Sequence, residues 1–142
     1  MRRSYFLKYI TIVSIIAAMA RMVFGIMMIN FFADSVTFGT ATPEVVMIAV
    51  WAIIVIAVSV IIQLICGFIC ALNWEEPTRT GTCLIWSCIS LLLGLLANFL
   101  QHLTGYGVSI YVWCTGVIVP ALLAIAALIF FLSVRKSKRN TN

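Results

Sequence analysis

One arginine interrupts an otherwise uncharged apolar run at residues 9–33. Arg21 stands midway between Lys8 and Asp34, the next charges on either side. A guanidinium keeps its proton at any relevant pH and offers five donors that must find acceptors. At the middle of a membrane-spanning helix such a charge costs roughly 3 kcal/mol on insertion scales, so it faces the protein interior or a water-filled cavity. Two amides share this setting. Gln63 is the one large polar side chain in the apolar run at residues 45–72, and Asn98 lies in a stripe of small and polar residues further on. Arg21, Gln63 and Asn98 are therefore the intramembrane polar candidates, able to tie helices together or to line a polar path.

The other reactive residue types do not assemble into chemistry. Asp34, Glu44, Glu75 and Glu76 all lie at the edges of apolar runs, which leaves no carboxylate inside a span to couple to protons. His102 has no second histidine or nearby carboxylate to complete a metal site, and is expected to be a hydrogen-bonding loop residue. Five cysteines suggest redox work, but no C-x-x-C pair is present: Cys66 and Cys70 are spaced C-x-x-x-C, and Cys83, Cys88 and Cys114 stand apart. Buried structural thiols are expected. No catalytic residue, metal site or cofactor is expected, because no nucleophile, base and orienting group can be placed together.

These residues need helices to position them. The chain is 64% hydrophobic and 9% charged, against ~25% charged in a soluble domain. Residues 45–74 carry no charge, and residues 80–134 carry none unless His102 is protonated. A crossing takes ~20 apolar residues, so the last run holds two crossings, separated by a polar, glycine-bearing break at residues 101–109. The expectation is an all-α membrane protein, a single four-helix transmembrane bundle with spans at about residues 6–32, 45–72, 82–100 and 110–134. The segment Ala18-Met19-Ala20 has the form of a signal-peptide cleavage site, but the apolar run continues through Phe32, as a mature N-terminus would not require.

Basic residues then orient the bundle. Arg2, Arg3 and Lys8 precede the first span, Arg79 lies between the second and third, and Arg135, Lys136, Lys138 and Arg139 follow the fourth. Residues 33–44 and 101–109 contain no lysine or arginine. The positive-inside rule puts both termini and the middle loop in the cytoplasm. In that loop Trp74, Glu75, Glu76 and Arg79 are the candidates for contact with cytosolic partners. The C-terminal cluster also suits anionic lipid headgroups.

Each span carries one small or polar face at helical spacing: Ser14, Ala18, Arg21 and Gly25; Ser59, Gln63, Gly67 and Cys70; Cys83, Ser87, Ser90, Gly94, Asn98 and Gln101; Gly116, Pro120, Ala124 and Ala127. Small residues allow close backbone approach between membrane helices. Thr42-Pro43-Glu44 suits the start of the second helix, and Pro120 is expected to kink the fourth.

From the second span into the third the sequence reads Gly67-Phe-Ile-Cys70-Ala-Leu-Asn73-Trp-Glu-Glu-Pro77-Thr-Arg79-Thr-Gly-Thr-Cys83. It resembles a pattern in small four-span bacterial membrane proteins, G-x-x-G-x-x-N-x-x-x-P-x-K-x-x-x-C, with Cys70 in place of the second glycine and Arg79 in place of the lysine. The resemblance implies a bacterial plasma-membrane protein and supplies no activity. Function is accordingly expected to be non-enzymatic: a multi-pass protein acting through helix packing, as a homo-oligomer or as an accessory subunit to a membrane-protein partner, with no nucleic-acid partner. The alternative is a small transporter or channel with Arg21, Gln63 and Asn98 along its path.

Overall fold

The computed structural model of the chain describes residues 5–73, 79–105 and 110–141. Among them are four long helices and no strand: α1 Tyr5–Thr37, α2 Pro43–Asn73, α3 Thr80–Leu103 and α4 Ile110–Asn140. All four are long and apolar enough to cross a membrane. Even the 24-residue α3 is ~36 Å long at ~1.5 Å per residue, against a ~30 Å hydrocarbon core.

The helices outrun the apolar runs because their polar ends satisfy their own carbonyls. In α1 the hydroxyls of Ser35 and Thr37 donate to the carbonyls of Phe31 and Ala33, at 3.0 and 2.8 Å. Residues 33–37, expected in a loop, are therefore helical, and the chain turns only at Gly39, which takes the left-handed φ of 67°. Thr42 does cap α2, its hydroxyl accepting from the Val45 amide at 3.4 Å. Gln101 and His102, expected in the break between spans, form the last turn of α3, and the turn comes at Gly105 with φ of 80°. His102 is exposed there and is not a loop residue.

Short connections make an up-and-down bundle in which α2 packs on α1 and α3, and α4 packs on α3 and closes onto α1. The burial pattern is inverted relative to a water-soluble protein. Ser14, Arg21, Ser59, Gln63, Ser87, Ser90 and Asn98 are buried, while Tyr9, Ile16, Met27, Trp51, Phe68 and Leu92 are more than half exposed. No more than 33% of the most apolar window of any helix is covered by the rest of the chain. Four all-apolar outer faces around a polar seam are what a lipid solvent permits and water does not.

The face read for α3 is buried in full, Cys83 through Gln101, and that for α2 likewise. On α1, Ser14, Ala18 and Arg21 are buried and Gly25 half-buried; on α4, burial runs through Gly116, Pro120, Leu123, Ala127 and Phe130, with Ala124 only half-buried. At the end that carries both termini, Leu7, Cys66, Cys70, Cys83, Leu123, Ala126, Ala127 and Phe130 form the apolar core.

α4 is not simply kinked. Its residues Cys114–Ile118 form a widened π-helical turn, in which the Val119 amide bonds to the Cys114 carbonyl, five residues back. Pro120 has no N–H to give to Gly116. Two consecutive carbonyls, those of Thr115 and Gly116, are thereby released from the helix ladder, and both are used elsewhere in the bundle.

Candidate functional site

Arg21 is the central residue of α1, and its side chain is buried, with 2% of its surface exposed. On α2, Ser59 and Gln63 are one turn apart and present their side chains one above the other. The Arg21 Nη1 group donates to Ser59 Oγ at 2.8 Å and to Gln63 Oε1 at 2.9 Å. The Gln63 amide is oriented by this contact, since a guanidinium offers only donors. Its nitrogen then faces acceptors: the Thr115 carbonyl at 3.1 Å and, at 3.5 Å, the Ser14 carbonyl. The first of these is a carbonyl that the π turn sets free. One amide thus joins α1, α2 and α4.

Gly116 completes the site by lacking a side chain. A Cβ there would lie 3.1 Å from Arg21 Nε and 3.2 Å from Cζ, so the guanidinium rests on the bare backbone of α4. On its other side the Gly116 carbonyl meets Gly94 of α3, where a Cβ would fall on the carbonyl oxygen itself. Gly94, Gly116 and Arg21 form a stack through the bundle, at a point where the backbones of α3 and α4 lie in contact. Close Cα–H···O=C contact of this kind recurs between packed helices.

The charge of Arg21 is met by neutral groups only, among the described residues. Asp34 and Glu44 are exposed near the far ends of their helices. Arg21 also borders two cavities. One, of about 250 Å³, is a groove between α1 and α2 lined otherwise by apolar residues such as Met22, Ile26, Ile53 and Val60. The other, of about 20 Å³, adds Phe24, Met28, Val112 and the Gln101 amide, and has room for about one water.

Asn98 does not join Arg21 and Gln63. It is buried, and among the described residues neither its Oδ1 nor its Nδ2 has a partner; the hydroxyls of Ser14 and Ser90 are in the same condition. Arg79 is exposed next to the start of α3, whereas Trp74, Glu75 and Glu76 lie outside the described residues. Of the thiols, Cys66, Cys70 and Cys83 are buried, Cys66 within 3.6 Å of the Ser87 hydroxyl; Cys88 is exposed and Cys114 half-buried. No group of three metal-ligating side chains occurs among the described residues.

Two contributors were not singled out from sequence. Ser59 lay on the face read as buried, but a lone serine at helical spacing gives no sign of binding a cation. Thr115 acts through its carbonyl, and only Pro120, five residues later, hints that the ladder is broken there.

Fold and site together define a multi-pass, all-helical membrane protein with a buried, internally bonded arginine at mid-bundle. No family model, curated protein or solved structure matches the chain.

Proposed function

We propose that this protein is a non-enzymatic multi-pass protein of the bacterial plasma membrane that works through helix association, as a homo-oligomer or as an accessory subunit, with both termini and the segment at residues 73–81 in the cytoplasm. One observation carries the reading: Arg21 is bonded within the chain by Ser59 and Gln63, and the space around it is walled almost wholly by apolar residues. A transport path would need a polar cavity reaching the arginine from one side. Packed helices with lipid-facing outer surfaces need none.

Purification in mild detergent, with identification of co-purifying proteins and the mass of the complex, tests this. The expected result is a defined oligomer or a stoichiometric membrane partner. Movement of a solute across vesicles reconstituted with the protein alone, whatever its oligomeric state, would overturn it in favour of the transporter reading. The unpartnered Asn98 amide is the observation that favours that second reading, since a transient polar solute is one way to satisfy it.

Orientation rests on the distribution of Lys and Arg and has its own test. With the native cysteines replaced, single cysteines at Thr78 and Ser137 should resist membrane-impermeant thiol reagents in intact cells and react after permeabilisation. Labelling of either site from outside would reverse the topology.

A further inference from the structure

The last turns of α4 carry four cations, Arg135, Lys136, Lys138 and Arg139, all exposed, and the helix continues through them to Asn140. Helical geometry gives each a direction. The buried stripe of α4 runs Pro120, Leu123, Ala127 and Phe130 and ends at Val134, which packs on the core. At ~100° per residue, Arg135, Lys136 and Arg139 fall within one ~100° arc nearly opposite that stripe, with Lys138 off its edge. Three cations therefore point away from the bundle.

The same outward arc holds Leu128 and Leu132, which are 42% and 52% exposed. Leu128, Leu132, Arg135 and Arg139 are spaced four, three and four, a single stripe ~17 Å long that is apolar and then cationic. Arg135 and Arg139 are neighbours on the helix surface, at the separation of i,i+4 pairs. Among the described residues none of the four cations has a carboxylate partner, and the carboxylates of Asp34 and Glu44 lie at the opposite end of the bundle.

We propose that this stripe is a site for an anionic phospholipid of the adjoining leaflet, its acyl chains along Leu128 and Leu132 and its phosphate held by Arg135 and Arg139, with Lys136 adding charge. The occupant follows from the order of the stripe. A membrane-embedded apolar face that ends in two arginines matches an amphiphile whose chains and phosphate have the same order and spacing, and arginine forks match phosphate oxygens in bidentate fashion. Lys138, off the arc, contributes through the surface potential alone.

The test uses the full-length protein in mixed micelles with phosphatidylglycerol and phosphatidylcholine of identical acyl chains, and counts retained lipids by native mass spectrometry. Phosphatidylglycerol should be retained at least about tenfold over phosphatidylcholine, with about a fivefold loss for each stripe cation removed. R135Q/K136Q/R139Q should abolish the preference at unchanged helicity and melting temperature, K138Q should keep most of it, and added salt should weaken it. Equal retention of the two lipids by the wild type overturns the proposal, as does a preference that survives the triple substitution or falls equally with K138Q alone. E75Q/E76Q addresses a rival claim on the cations. If it creates a preference that the wild type lacks, the tail is neutralised by the chain's own loop and the lipid site is refuted.

Discussion

Gly94→Leu is expected to prevent α3 and α4 from packing, lowering bundle stability by about 3 kcal/mol or more, beyond the usual range for overpacking. The reason is the identity of the obstructing atom. A Cβ at Gly94 meets the backbone carbonyl oxygen of Gly116, with the carbonyl carbon at 3.0 Å, so no rotamer change can relieve it and the helices must separate. Even Gly94→Ala should be severe. A graded series distinguishes this from a general loss of tolerance. Gly116→Ala meets the end of the Arg21 side chain, at 3.1 Å, and should cost less because that group can shift. Gly25→Ala finds its nearest neighbour at 3.7 Å and should be neutral, or stabilising by the helix-propensity gain of up to ~1 kcal/mol. Cys88→Leu, on the exposed face of α3, should also be neutral. Thermal unfolding in detergent ranks the five variants. Wild-type melting of Gly94→Leu would show that α3 and α4 do not cross at this point.

That crossing also marks how far the sequence could be read. The stripe on α3 was legible because six small or polar residues recur at steps of three and four in an apolar background, and lipid exposure gives no reason for such a pattern. Its buried face follows from periodicity alone. Which residue it meets does not: Gly94 against Gly116 depends on the axial offset between α3 and α4, which the pattern on neither helix sets. The pairing of Arg21 with Gln63 was within reach, since a cation in mid-membrane needs acceptors and the chain offers few.

The boundaries and α4 were less legible for separate physical reasons. Hydropathy ends where lipid ends, but a helix ends where its last carbonyls lose partners. Ser35, Thr37 and Thr104 supply local hydroxyl bonds to backbone carbonyls that an apolar count ignores. In α4, proline removes one donor, and either a kink or a π turn can absorb the loss. Here the released Thr115 carbonyl gains a bond from Gln63 and the Gly116 carbonyl gains close contact with α3. The partners of these two carbonyls lie on neighbouring helices, and residues 110–120 taken alone do not contain them.

The same network sets the second large effect, at Gln63. Gln63→Leu keeps the volume but removes the acceptor for Arg21 and the donor for the Thr115 carbonyl. It should destabilise the bundle by ~3–5 kcal/mol, because a buried charge loses one of its two partners in a medium that cannot replace it. Arg21→Met alone removes the charge with its desolvation cost, and should be neutral or stabilising if the arginine serves only to fix the bundle. The double variant is the decisive one. With no guanidinium to strand, Gln63→Leu should then cost only ~1–3 kcal/mol, for the orphaned Thr115 carbonyl. The resulting coupling of ~2 kcal/mol or more, within the range seen for residues sharing one network, is measurable by reversible unfolding in detergent. Costs that simply add would mean Arg21 draws its acceptors from elsewhere. A fully stable Arg21→Met protein that has lost a co-purifying partner would locate the missing counter-charge on that partner, and would give the arginine an intermolecular role in place of the structural one.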